Sequence, residues 1–208
     1  MLCVTITLVS IAWRNIIMTA YTINFDVIST IDDEKFYQLC RHNPELKLEK
    51  NQKGELVIMS PTGGETGKKN SELNADFVIW NRQKKLGYIF DSSTCFKLPK
   101  GSNRSPDVAY IQKERWDNLK EEERIKFPPL APDFVLELIS KTDSLKDTQE
   151  KMQEYIDNGV KLGWLINPEK KEVEIYRQEG EKEVLNNPKI LSGEDILPDF
   201  TLDLTEIF

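Results

Sequence analysis

The chain has little histidine, little cysteine and no apolar stretch long enough to span a bilayer, and each shortage excludes a class of function. One histidine, His42, stands in Cys40-Arg41-His42-Asn43. A Ser-His-Asp triad, a multi-histidine zinc site or a facial triad would have to be built around that one residue, which sets those classes aside. His42 reads instead as a cation in the last turn of a helix, where the helix dipole favours it. Cys3, Cys40 and Cys95 are odd in number, far apart and without CxxC spacing. No disulfide framework is expected, and a reducing, cytoplasmic setting is the default. The N-terminal MLCVTITLVSIAW is apolar but falls short of the ~20 residues that cross a membrane. It also has no basic residue ahead of its apolar part and no A-x-A-like cleavage site. Residues 1–18 are therefore read as an N-terminal extension. Either translation starts at Met18, which opens MTAYTINFDVIS, or the segment is a genuine strand; no membrane attachment is expected.

What remains is an ordinary globular composition, with 208 residues, 30% charged and 39% hydrophobic. A chain of 24.1 kDa buries roughly 70% of its unfolded surface, enough for a core without metal or disulfide staples. One α/β domain over residues 19–208 is expected. The formal charge of −7 is uneven: residues 1–104 carry 14 basic and 11 acidic side chains, the remainder 14 and 24. A protein that held duplex DNA chiefly by neutralising phosphates would be basic, so any nucleic-acid contact here must be local or metal-assisted.

Hydrophobic spacing outlines the elements. Thr30 caps a helix through STIDDEKFYQLCRH that stops at Pro44. Leu46 and Leu48, a Lys53-Gly54 turn and ELVIMS form a hairpin. Pro61, Gly63, Gly64 and Gly67 mark a loop, followed by a helix with Leu73, Phe77 and Trp80 on one face. YIF, TCFKL and DVAYI are strands, the last two separated by the polar KGSNRSP loop. After a charged helical stretch and the PPLAP breaker, DFVLELI lacks inside/outside alternation, as in a strand buried on both faces. A helix from about Ser144 to Asn158, closed by Gly159, leads to a second buried run, LGWLIN. Strand, helix and strand in that order imply a right-handed crossover and a parallel pair in a mixed sheet. VEIYR pairs back across the turn at 167–170, and FTLDLTEIF ends the chain.

Three residues stand out chemically. Glu137 occupies the middle of a buried apolar strand, where an ionised carboxylate must be paired, protonated or bound to a metal. Asp107 opens a strand directly after Pro106, which forces extended backbone and sets the side chain at the sheet's rim. Carboxylates on adjacent strands suit a hard cation such as Mg²⁺. Glu137 lies about 7–10 Å before its strand ends, and Lys151 about 10 Å into the returning helix, so the two reach the same height. On these residues alone, Glu137 and Lys151 read first as a structural ion pair, since such pairs are common.

The strings SPDVAYI, PDFVLELIS, EKMQEYIDNGVKLGWLINP and MSPTGGETG resemble the Uma-two family, a restriction-endonuclease-like branch of the PD-(D/E)xK phosphodiesterase superfamily. The resemblance implies a restriction-endonuclease-like fold, a central mixed sheet flanked by helices. It implies Asp107 as the PD aspartate and Glu137 as the acid of (D/E)xK. Ile139 stands where the superfamily has lysine, and Lys151 is similar to a lysine displaced onto the following helix. By that resemblance Asp107 and Glu137, with the Leu138 carbonyl, hold Mg²⁺ or Mn²⁺, and Lys151 orients or deprotonates water, with DNA as substrate. Glu65, in Gly64-Glu65-Thr66-Gly67, resembles a further catalytic acid and is equally read as a helix-N-terminal acid; Glu72, facing inward, is a weaker candidate. A homodimer is implied by resemblance only. The alternative function is a catalytically silent nuclease-fold module that binds nucleic acid or protein, for which Ile139 and the acidic charge both speak. Lys68, Lys69, Arg82, Lys84, Lys85, Lys97, Lys100 and Arg104 form the one net-basic stretch, either a phosphate contact or an ordinary solvated face. Trp116 and Trp164 are read as packing residues rather than base-stacking platforms.

Overall fold

Residues 20–24 and 31–208 are described by the computed structural model; the N-terminal extension and the Thr30 cap lie outside them. The N-terminal half runs β1 (Ala20–Ile23), α1 (Asp33–His42), β2 (Lys47–Lys50), β3 (Leu56–Met59), α2 (Gly64–Lys84), β4 (Gly87–Asp91), β5 (Phe96–Lys97) and β6 (Asn103–Arg104). It continues with β7 (Val108–Gln112), α3 (Lys113–Asp117), α4 (Glu121–Ile125), β8 (Phe134–Leu138), α5 (Leu145–Asp157) and β9 (Leu162–Asn167). Last come β10 (Glu172–Arg177), β11 (Glu183–Asn186), β12 (Ile190–Ser192) and β13 (Thr201–Asp203).

The buried apolar strands form the centre. A six-stranded mixed sheet has the order β11-β10-β9-β8-β7-β4, with β8 and β9 parallel and joined through α5. Every residue of β8 and β9 is buried. Alternation along β8 divides the core: Phe134, Leu136 and Leu138 join α2 residues Leu73, Phe77 and Trp80 on one face. Val135 and Ile139 join α5 residues Met152 and Tyr155 on the other. Glu137 falls between these two, so the pleat turns it toward α5. A second sheet, β1-β3-β2-β6-β5, carries the hairpin, and α1 packs on it through Phe36, which shares one buried cluster with Leu48, Leu56 and Cys95.

Several sequence expectations shift by a few residues. Asp32 caps α1, its carboxylate accepting the Lys35 N–H at 2.8 Å. Helix α2 begins at Gly64 and takes in Gly67, part of the expected loop. Gly63 supplies the extended entry, and the only atom within 4 Å of a Cβ built at Gly67 is Thr62 Cγ2, at 3.8 Å, so the helix continues through this glycine. The KGSNRSP loop hides β6, a two-residue polar strand that pairs with both β2 and β5. Such a strand carries no apolar period by which to find it. The charged stretch after β7 divides into two short helices, α3 and α4. Ser144 caps α5, with Asn158 and then Gly159 at φ 100° closing it. No helix among the described residues is long and apolar enough to cross a membrane.

Candidate active site

The return of α5 between the parallel strands β8 and β9 brings Lys151 Nζ to 2.8 Å from Glu137 Oε1. The same ammonium lies 3.0 Å from Glu49 Oε1 on β2, and Tyr155 OH donates to Glu137 Oε1 at 2.9 Å. Asp107 enters from the rim just before β7, adjacent to β8 in the sheet. Its Oδ2 accepts the Leu138 N–H at 2.9 Å and its Oδ1 the Asn70 side-chain amide at 3.2 Å. Asn74 of α2 donates to the Asp107 carbonyl at 3.1 Å, so α2 fixes both backbone and side chain of this aspartate.

Glu49, Arg104 and Glu154 complete the cluster. Arg104 places Nη1 3.0 Å from Glu49 Oε2 and forks onto Glu154 through Nε and Nη2, both at 2.8 Å. Lys151 and Arg104 are the cations set among Glu49, Glu137 and Glu154, and Lys47 and Asp143 also act on Asp107. The protonation preferences follow. Burial raises the Glu137 carboxyl to about 7, reinforced by the charges of Asp107 and Glu49 and only partly opposed by Lys151. Burial also raises Asp107, against the Leu138 N–H and Lys151, which pull it down. For Glu49 burial is outweighed by Lys151, Arg104 and the Ser105 N–H, and its carboxyl sits at about 2. Burial would deprotonate Lys151, but Glu137 and Glu49 push its pKa up instead, so it remains an ammonium.

Among the described residues no group of three or more His, Cys, Asp or Glu side chains is preformed around a metal position. The donor chemistry nevertheless fits a hard divalent cation. Asn70 Oδ1 is buried without a hydrogen-bond partner, on the amide that donates to Asp107. Two carboxylates beside an orphaned amide oxygen match the oxygen-rich preference of Mg²⁺.

Asp107, Glu137 and Lys151 thus lie in one cluster. Glu65 does not join them: it is exposed in the first turn of α2, with no hydrogen bond or ion pair to that trio among the described residues. Glu72 is exposed rather than inward-facing. Ile139 is 6% exposed in the apolar layer with Met152 and Tyr155, a position with no room for an ammonium, and Lys151 brings the charge from α5. Arg104, counted among basic surface residues, is buried in ion pairs and faces no solvent partner. Lys97 pairs with Asp33 and Lys84 with Asp199, which thins the basic face further. Trp164 is fully buried against Phe134 and Trp116 packs on Phe90, so both are packing residues. His42 ends α1, with Nδ1 2.8 Å from the Gln38 carbonyl.

Sequence reasoning missed Glu49, Tyr155 in its polar role, and Asn70. Glu49 sits in the charged KLEK strand, where alternation with Leu48 reads as a solvated face; the second sheet's placement against α5 makes it 1% exposed.

A mixed central sheet flanked by helices, with Asp107, Glu137 and Lys151 gathered beside β8, is the architecture of a restriction-endonuclease-like fold. The chain belongs to the Uma2 family, described as putative restriction endonucleases, whose profile matches residues 33–205. A crystal structure described as a putative nuclease belonging to DUF820 from Anabaena variabilis ATCC 29413 shares the fold, with a TM-score of 0.66 at 19% identity. The match covers 79% of this chain and 90% of that one. No curated protein matches the chain.

Proposed function

We propose that the chain is a metal-dependent DNA endonuclease that hydrolyses phosphodiester bonds. The observation that carries this reading is the meeting of Asp107, Glu137 and Lys151 from three separate parts of the chain in one cluster, beside the unpartnered Asn70 Oδ1. In the metal-free protein burial disfavours the charged forms of Glu137 and Asp107, and a bound divalent cation would favour them. Asp107 and Glu137 would hold Mg²⁺ or Mn²⁺, with Asn70 Oδ1 and the Leu138 carbonyl as neighbouring oxygen donors. The bound ion would polarise a phosphodiester and activate water. Lys151 stays charged, so its work is to orient that water and the developing negative charge rather than to take a proton. Within this reading Glu65, exposed in the first turn of α2, meets substrate approaching that end of the helix, and residues 19–208 act as one nuclease domain.

Against the silent-module reading, whose main sequence argument is the lysine absent at Ile139, stands the ion pair of Lys151 with Glu137, which supports Lys151 in that role. Cleavage of supercoiled plasmid and labelled single-stranded DNA with Mg²⁺ or Mn²⁺ tests the proposal. Cutting that requires metal and disappears in Asp107→Ala, Glu137→Ala and Lys151→Ala is expected. A folded protein that binds DNA but cuts none of these substrates with either metal would return the module reading.

A further inference from the structure

Lys151 has two carboxylate partners, and they are held very differently. Glu137 stands at the end of β8, and its described donors, Lys151 and Tyr155, both come from α5. Glu49 comes from β2 in the other sheet and is immobilised on every side. Its Oε1 accepts the Ser105 N–H at 3.0 Å besides Lys151, and its Oε2 accepts Arg104 at 3.0 Å. Arg104 is itself locked by its fork onto Glu154, three residues beyond Lys151 and so on the same face of α5. The Gln52 N–H, at the hairpin turn, closes the frame on Glu154 at 3.3 Å. Helix α5 is therefore tied to β2 and β6 at two successive points along one face.

We propose that Glu49 is the positioning residue for Lys151, the fixed counter-ion that keeps the ammonium in place when Glu137 exchanges it for another partner. A lysine two residues after the acid on one strand would be placed by the strand itself. Here the lysine arrives from a helix on a long flexible side chain, and a rigid anchor must replace the strand. The two oxygens of Glu49 accept a main-chain N–H, a guanidinium and an ammonium, which leaves it as a brace rather than a ligand. Its consequence for catalysis rests on the nuclease reading above; the placement of Lys151 does not.

Two measurements separate these. In the first, side-chain ¹⁵N NMR follows the slowly exchanging Lys151 ammonium in metal-free protein, assigned by its loss in Lys151→Gln. The signal is expected to persist in Glu137→Gln and to broaden away in Glu49→Gln while the amide spectrum stays folded. Its loss in Glu137→Gln would overturn the proposal, and this arm stands even if Glu49→Gln does not fold. Survival of the signal in folded Glu49→Gln would overturn it equally. In the second, DNA cleavage is compared across a cycle of Glu49→Gln and Lys151→Gln. Each is expected to lower kcat on the order of 10²-fold with KM changed less than about threefold, and the double variant to be no worse than Lys151→Gln. Multiplicative losses would mean that Glu49 acts other than through Lys151. A wild type that cuts nothing removes the nuclease reading and leaves the NMR result to judge Glu49.

Discussion

Lys151 Nζ lies 2.8 Å from Glu137 Oε1 and 3.0 Å from Glu49 Oε1, a cation shared by carboxylates from two different sheets. Removing a partner from such a buried group is far more costly than removing the group together. Lys151→Met leaves Glu137 without its cation and should cost about 3–5 kcal/mol of unfolding free energy. The double variant Lys151→Met/Glu137→Gln should recover at least ~1 kcal/mol of that loss, a coupling that urea titration of the four proteins would measure. Additive losses would mean the pair is not energetically joined.

The raised Glu137 carboxyl makes stability and metal binding depend on pH in a definite direction. Its folded value of about 7 exceeds the ordinary 4.5. The stability it contributes is therefore present below 4.5 and lost as pH rises through about 7. In metal-free protein, Glu137→Gln should gain stability relative to wild type between pH 5 and pH 8. A cation needs the carboxylate, so Mn²⁺ affinity should climb about tenfold per pH unit below about 7 and level off above it. Calorimetry in buffers of different ionisation enthalpy should show proton release at pH 6. Affinity independent of pH would place the metal elsewhere. Glu49 behaves in the opposite sense: held at about 2, it contributes stability above 4.5 that disappears as pH falls toward 2.

The parts legible in the sequence were those carried by strong periods or by a residue out of place. DFVLELI and LGWLIN announce the parallel pair, and Glu137 announces itself by being a charge where none belongs. Lys151 could be placed because strand and helix rises are fixed lengths and the crossover has one hand. What stayed hidden depends on contacts between elements far apart in the chain. Glu49 and Arg104 look like surface charges until β2 and β6 are set against α5, and Asn103–Arg104 is too short to show a period. Asn70 carries no local signal, since its meaning comes from the distance between α2 and the start of β7. The start of α2 was misplaced for a different reason: Gly64 and Gly67 are turn formers by propensity, overridden by a helix whose apolar face is anchored at Leu73, Phe77 and Trp80.

Asp107→Asn separates metal binding from folding. Burial raises the Asp107 carboxyl, so the folded protein already resists its charge, and asparagine keeps an oxygen for the Leu138 N–H. Without metal, the variant should match or slightly exceed wild-type stability at pH 8. With millimolar Mn²⁺ the wild type should gain melting temperature by mass action and Asp107→Asn should not. Thermal denaturation with and without Mn²⁺ checks this, and an equal gain in both proteins would exclude Asp107 as a ligand.

The spacing between β9 and α5 sets where Lys151 can reach, and Gly163 keeps it. A Cβ at Gly163 would lie 2.6 Å from Met152 Cε and 3.5 Å from Val135 Cγ2, and Met152 adjoins Lys151 on α5. The methionine terminus is flexible and can yield, so the strain is moderate rather than prohibitive. Gly163→Ala should cost about 1–3 kcal/mol by overpacking, a fall of roughly 2–4 °C in melting temperature for each kcal/mol in a domain of this size. Met152→Leu, which removes the terminal methyl at nearly constant volume, should restore part of that loss when combined with Gly163→Ala. If the methionine alone yields, Gly163→Ala lowers stability and keeps the slow exchange of the Lys151 ammonium; if the helix is displaced, the slow exchange is lost in Gly163→Ala and returns with Met152→Leu.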